Sequence, residues 1–251
     1  MRAAAWAQLE QALSRWTQAG RVADFWLRDD DAVEPSPALE RLLELGDRHA
    51  IPMTLAVIPA RAGAALAERL ADAPLVTVAL HGWSHENHAP ADEKKQEFGP
   101  HRPHEVMLAE LREGEERLRG LFGDRFVPLF VPPWNRTDPS LVSRLPEAGL
   151  SSLSAFGPAR SSSVPIVNTN VDIIDWHGTR GGRDEAALVA EIVAQLDRMF
   201  EKDAGAVGVL THHLVHDAAA WAFLERLFGI TAGHPSCHWS SVTRLSSDVS
   251  L

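Results

Sequence analysis

The chain of 251 residues contains no tyrosine and a single cysteine, Cys237. One cysteine excludes an intrachain disulfide framework and suits a reducing compartment. No apolar run approaches the roughly 20 residues that a membrane span requires. The amphipathic segment 1–10 lacks the uninterrupted apolar stretch and cleavage site of a signal peptide, so we expect a cytoplasmic protein.

Basic residues are also scarce, with 24 Lys and Arg against 34 Asp and Glu, which gives a net charge of -10. An acidic chain of this kind argues against nucleic acid or an anionic membrane as the main partner. A small-molecule or glycan substrate remains compatible with it. Hydrophobic residues make up 45% of the chain, which is enough for a sizeable core. The oligomeric state stays open.

Strand-like and helix-like segments alternate along the chain. The predicted strands are 25–27, 53–58, 75–80, 126–131, 150–156, 171–174 and 206–210. The predicted helices after segment 1–10 are 37–49, 60–71, 107–121, 139–148, 184–202 and 218–228. This alternation predicts an α/β fold, a single-domain distorted (β/α) barrel with about seven parallel strands. The domain is expected to span 1–251, with its core at about 22–230.

The longest segment without a helix or strand pattern, 88–104, is polar and rich in proline and charge. Loops of this length often carry a function in compact domains, and in a barrel such a loop often lies over the site. A solvated insertion is the simpler interpretation and the one adopted here.

His81 and His85 are four residues apart directly after the strand 75–80, so both imidazoles can bind one metal ion. The triplet Asp29–Asp31 follows the first predicted strand. In parallel α/β folds the carboxyl ends of the strands form the site. One carboxylate and two imidazoles are a ligand set for zinc or a similar divalent ion, with positions left open for water and substrate.

A second carboxylate of the triplet would be available to take a proton from water. The alternative interpretation makes the triplet a turn or a helix N-cap and the histidines ordinary polar residues. Adjacent carboxylates repel one another without a cation, which favours the metal interpretation.

These residues resemble the motifs of the polysaccharide deacetylase family, also called the NodB-homology family or carbohydrate esterase family 4. Its Asp-Asp motif is matched within 28–31, and its second motif by 81–85, with Gly82 in place of the usual hydroxyl residue. Its Asp-x-x-Asp-Trp motif is matched by 172–176, and its Leu-x-His motif by 210–212. The four matches occur in the family's order and extend over about 25–216.

The third motif of the family, Arg-Pro-Pro-Tyr, is not matched in full. Val131 occupies the position of the arginine that orients the catalytic aspartate, and Trp134 occupies that of the tyrosine. Arg28 or Arg136 would have to supply the missing guanidinium. The resemblance therefore indicates a divergent member.

The resemblance implies a metal-dependent enzyme that removes an acyl group, most simply acetyl, from an N-acetylated sugar or glycan by cleaving a linear amide C–N bond. Asp31, His81 and His85 would bind a divalent metal ion, zinc by expectation. Asp30 would be the base that takes a proton from water, and His212 the acid that protonates the leaving amine. The residues expected to bind substrate are Trp134, Asn135, Asp175 and Trp176.

Two residue assignments stay open. The carboxylate pair is either Asp29 and Asp30 or, as preferred here, Asp30 and Asp31. The acid is either His212 or its neighbour His213. Two other functions also stay open. The protein is then either a metal amidohydrolase that acts on a non-sugar amide or a non-catalytic module that binds glycans.

Overall fold

In the computed structural model, residues 2–159 and 161–248 are described. Their strands are β1 (Ala23–Ala32), β2 (Met53–Val57), β3 (Val76–His81), β4 (Phe126–Val131), β5 (Ser152–Leu153), β6 (Val171–Asp172), β7 (Val207–Thr211) and β8 (Cys237–Trp239). The sheet has the order β5-β4-β3-β2-β1-β7-β6, and β8 pairs with β1. The predicted α/β class with about seven parallel strands is confirmed.

The described helices are α1 (Arg2–Gln18), α2 (Pro37–His49), α3 (Ala64–Ala71), α4 (His104–Phe122), α5 (Pro139–Val142), α6 (Glu185–Lys202), α7 (Ala218–Thr231) and α8 (Val242–Asp248). Most of them connect successive parallel strands, which is the connection that such strands require. No helix in this part of the chain has the length and apolar character to cross a membrane.

The chain divides into two compact units. The first comprises the residues up to Asp29, Pro37–Met53 and Thr169–Ser241. In it β1 pairs in parallel with β7, with Asp29 opposite Thr211. Helices α1 and α6 pack together, and the indole N–H of Trp6 donates to Glu185 Oε1 over 2.7 Å. The parallel register places Asp29 level with the carboxyl end of β7, and β1 continues for three more residues.

The second unit comprises Asp30–Ser36, Thr54–Asn168 and the residues from Val242. Its strands β3 and β4 pair in parallel with His81 opposite Val131, so the loops that follow both strands begin at the same edge. Helix α4 packs against these strands. The expected single domain over 1–251 stays a prediction.

Several predicted boundaries differ from the structure. Strand β1 extends to Ala32 and includes the acidic triplet, which the sequence had suggested as the loop after a strand 25–27. The pairing of β1 with β7 reaches Asp29, and the strand continues through the rest of the triplet, whereas charged side chains gave no strand pattern. Helix α4 begins at His104, and segment 139–148 forms α5 and a 3-10 turn, Leu145–Ala148. The sequence did not predict β8 and α8.

Candidate functional site

Asp31, His81 and His85 form a cluster in the second unit. The Nε2 atom of His81 lies 3.1 Å from Asp31 Oδ1, and that of His85 lies 3.4 Å from the same oxygen. One ligand atom from each of the three residues falls within 4.8 Å of the others. Two ligand atoms bound to one tetrahedral zinc are separated by roughly 3.4 Å. The spacing and the donor types therefore fit a divalent metal ion.

The ring of His81 is fixed by its second nitrogen. Its Nδ1 lies 3.0 Å from the carbonyl oxygen of Val131, to which an Nδ1–H donates. In the neutral imidazole this tautomer places the lone pair on Nε2, the nitrogen that faces Asp31. The His81 side chain is 2% exposed, whereas those of His85 and Asp31 are 22% and 30% exposed. His81 is thus fixed in the interior of the protein, whereas part of His85 and of Asp31 is accessible to solvent.

Left-handed backbone conformations are concentrated around this cluster. Asp31 has φ 71°, His85 has φ 61°, and the consecutive Trp134 and Asn135 each have φ 55°. Non-glycine residues adopt this region at an energetic cost, and such residues gather at functional sites. At Asp31 the conformation interrupts the alternation of β1. Regular alternation along the strand therefore does not predict the direction of this side chain.

Burial lowers the pKa of His85, and the nearby charge of His81 lowers it further. Asp31 and Asp30 act in the opposite direction. A lowered pKa keeps the imidazole neutral to a lower pH, and a neutral imidazole is the form that binds a metal. Asp30 is 2% exposed, so the predicted base lies in the protein interior beside the predicted ligand.

Glu97 is a functional candidate that the sequence did not reveal. It lies in the polar segment after β3 and is fully buried. Its carboxylate accepts hydrogen bonds from the backbone N–H groups of Trp83, Ser84 and His85. The polar segment is therefore not simply a solvated insertion, because one of its side chains is built into the histidine loop. The spacing between Glu97 and the loop carries no recognisable signal.

Trp134 lies beside the histidines, with its ring centroid 4.4 Å from that of His85. The guanidinium of Arg136 donates to the carbonyl oxygen of Lys95 over 3.2 Å. Arg28, the other candidate for the missing third-motif arginine, is fully buried on β1. Trp134 is half-buried, so part of its surface is available to a substrate.

In the first unit, Asp29 and His213 form a buried pair. The backbone N–H of His213 donates to Asp29 Oδ2 over 2.8 Å, and its Nδ1 lies 2.5 Å from Asp29 Oδ1. The two side chains are 0% and 1% exposed. Asp29 is thus engaged with His213, whereas Asp31 lies in the cluster with His81 and His85. The assignment of Asp30 and Asp31 as base and ligand stays a prediction.

His212 and the fourth-motif residues also lie in the first unit. The ring of His212 packs edge-on against Trp176, with centroids 4.6 Å apart, and the indole N–H of Trp176 donates to Asp172. Asp175 accepts hydrogen bonds from the backbone N–H groups of Gly178 and Thr179. These hydrogen bonds stabilise the loop that contains Asp175.

The structure thus brings together Asp31, His81, His85 and Trp134 in the second unit, and His212 with Trp176 in the first. The catalytic roles of Asp30 and His212 stay predictions. So do the substrate contacts expected of Trp134, Asn135, Asp175 and Trp176.

The sequence that forms this site is similar to a known protein family. A family model described as polysaccharide deacetylase matches residues 25–153, about half of the chain. This range includes the acidic triplet, both histidines and the Pro-Pro-Trp segment. A comparison with curated protein sequences gave no match.

Solved structures show the same fold at low sequence identity. A Mycobacterium smegmatis protein provisionally assigned as a polysaccharide deacetylase is 17% identical, with coverage of 92% of this chain and 91% of that chain and a TM-score of 0.70. A mutant of the peptidoglycan deacetylase PdaC from Bacillus subtilis is 17% identical, with 92% coverage of each chain and a TM-score of 0.58. A family 4 acetyl xylan esterase from Clostridium thermocellum, in complex with a cobalt ion, is 15% identical, with coverage of 89% and 90% and a TM-score of 0.52.

Proposed function

Because this chain belongs to the polysaccharide deacetylase family, we propose that it is a metal-dependent hydrolase that removes acetyl groups from an N-acetylated glycan. The cluster of Asp31, His81 and His85 is the observation that carries this proposal. Zinc is the proposed ion, since two imidazoles and one carboxylate in a partly open site are a common catalytic zinc set.

The residues around the cluster suit hydrolysis of an amide. A divalent ion held there would polarise the amide carbonyl and acidify a water molecule. Asp30 follows buried Asp29 and precedes the ligand Asp31, and its own burial fixes its carboxylate in place. We assign Asp30 the role of base, which takes the proton of the attacking water.

The leaving amine requires an acid, and His212 is assigned this role. Packing against the Trp176 ring restricts the orientation of its imidazole. His213 is the less suitable neighbour, because its ring is engaged with Asp29 in the interior. Trp134 offers an aromatic face of the kind on which sugar rings stack.

The expected cytoplasmic location is also a proposal. With it, a small, lipid-linked or nucleotide-linked N-acetylated sugar is favoured over a cell-wall polymer as substrate.

The first experiment is the metal content of the purified protein, measured by mass spectrometry beside a His81→Ala/His85→Ala double variant. We expect near-stoichiometric metal in the wild type and loss of it in the double variant. Acetate release from N-acetylglucosamine oligomers is then measured with Asp30→Asn as the third protein. This variant is expected to retain the metal and to lose activity by at least about 100-fold.

Absence of metal from the wild type, even after zinc is added back, would contradict the proposal. Bound metal without acetate release would direct the search to a panel of small non-sugar amides. An active Asp30→Asn variant would reject Asp30 as the base while leaving the metal site intact.

A further inference from the structure

Glu97 holds the loop that carries both histidines. Its Oε1 accepts hydrogen bonds from the N–H of Ser84 over 2.7 Å, from the Ser84 hydroxyl over 3.0 Å and from the N–H of His85 over 3.1 Å. Its Oε2 accepts from the N–H of Trp83 over 3.2 Å. Three consecutive backbone N–H groups therefore converge on one carboxylate, an arrangement that binds anions in proteins.

The interaction takes place away from solvent. Glu97 is 0% exposed, and this burial raises the pKa of its carboxyl group, although the hydrogen bonds from Ser84 and Trp83 oppose the rise. Loss of this buried acceptor would leave several N–H groups without partners, which is unfavourable away from water. His85, the histidine whose N–H is among them, has φ 61°. The carboxylate thus stabilises a backbone conformation that His85 would otherwise disfavour.

The segment that contains Glu97 is itself anchored. Arg102 donates to the carbonyl oxygen of Glu97 over 3.0 Å, and its two terminal nitrogens, Nη1 and Nη2, pair with the carboxylate of Glu110 on α4. The neighbouring Phe98 packs edge-on against Phe130 of β4, with centroids 5.4 Å apart. Helix α4 and strand β4 therefore fix the position of the carboxylate.

Gly82 is shaped to this carboxylate. It has φ 62°, and a Cβ atom at this position would overlap Glu97 Oε2 and the ring of Pro133. Gly82 also occupies the position at which the family motif has a hydroxyl residue. The carboxylate of Glu97 can therefore occupy its position only because residue 82 has no side chain.

We propose that Glu97 is a positioning residue of the metal centre, which holds the loop from His81 to His85 so that the His85 imidazole faces Asp31. Glu97 acts through the backbone N–H groups of the loop and does not itself ligate the metal. This role rests on the proposed metal function, and the glycine at position 82 leaves the room that the carboxylate occupies.

The test compares Glu97→Met, which keeps the length of the side chain and removes both acceptors, with Glu97→Gln, which keeps one acceptor oxygen. The control is Glu93→Met, an exposed glutamate in the same segment. Affinity for Co²⁺ and the visible spectrum of the bound ion are measured, together with hydrogen exchange of the three loop amides. Thermal unfolding checks that each variant is folded.

For Glu97→Met we expect Co²⁺ affinity to fall by roughly 10- to 100-fold, with an altered spectrum and faster exchange at Trp83, Ser84 and His85. For Glu97→Gln we expect a loss within about threefold, a spectrum like the wild type and faster exchange at Trp83 alone, since the retained oxygen faces the other two amides. The control should behave as the wild type does.

Wild-type affinity and spectrum in a folded Glu97→Met variant would overturn the positioning role. If that variant does not fold, unchanged exchange at Trp83 in Glu97→Gln overturns it instead. Failure of the wild type to bind Co²⁺ would be a failure of the metal proposal. The exchange rates then decide whether Glu97 holds the loop, because they require no metal.

Discussion

At the scale of the residue, burial sets the protonation of His216, which follows β7 in the first unit. Burial lowers its pKa to about 4, and the charges of His213 and His212 contribute in the same direction, whereas Asp29 and Asp217 oppose it. The ring forms a hydrogen bond with the Thr211 hydroxyl and lies edge-on against Trp221. His216 is therefore kept neutral in the folded protein.

Replacement of His216 by glutamine should flatten the dependence of stability on pH. Between about pH 6.5 and 4 the unfolded chain binds a proton at this histidine and the folded chain does not, so stability is lost as the pH falls. The full effect is about 3 kcal/mol below pH 4. Urea unfolding at pH 7 and pH 4.5 should show a smaller difference for His216→Gln than for the wild type.

His177→Gln is the matched control, since His177 is an exposed histidine of the same unit. Its pH dependence should equal that of the wild type. Equal slopes for His216→Gln and the wild type would show that His216 does not carry the acid sensitivity.

At the scale of the element, the N-terminus of helix α6 is stabilised by a capping residue that the sequence places directly before it. Asp184 is the N-cap, and its Oδ1 accepts a hydrogen bond from the N–H of Ala187 over 3.0 Å. The helix buries Leu188, Ile192 and Leu196 on one face, in agreement with the apolar periodicity from which it was predicted. The cap and the apolar periodicity thus both agree with a helix that begins directly after Asp184.

Asp184→Ala should destabilise the protein by about 1 kcal/mol, because one N–H of the first turn loses its acceptor. Chemical denaturation is the measurement. Glu201→Ala, at the opposite end of α6, serves as the control and should cause no loss, since a negative charge at a helix C-terminus interacts unfavourably with the helix dipole. Equal destabilisation by both variants would argue against a capping role for Asp184.

At the scale of the complete fold, metal binding at the proposed centre is linked to folding. An ion that binds only the folded protein adds about 2.7 kcal/mol to its stability when the free ion is at 100 times its dissociation constant. Zinc should therefore raise the midpoint of thermal unfolding by several degrees, and chelation should reverse the shift. The His81→Ala/His85→Ala variant should show no shift. A shift of equal size in that variant would place the ion elsewhere.

The fold class and the candidate ligands could be predicted from local patterns in the sequence. Alternating strand and helix patterns report local periodicity, and this periodicity is enough to predict parallel strands. A predicted strand leads directly into the first of the two histidines, which are four residues apart, so their proximity follows from local chain geometry. The family motifs add the expected chemistry, because each is a short run of residues that can be matched without any tertiary contact.

Local patterns did not reveal which carboxylate of the triplet lies beside the histidines, because that proximity depends on how distant segments pack. Regular alternation would direct Asp29 and Asp31 to the same face. Instead, Asp29 pairs with a histidine 184 residues away, whereas Asp31, which has a left-handed φ, lies beside His81 and His85. Glu97 likewise reaches the histidine loop through contacts that depend on Arg102 and Phe98. Single dihedral angles and long-range contacts leave no periodic trace in a sequence, since they arise when separate segments pack together.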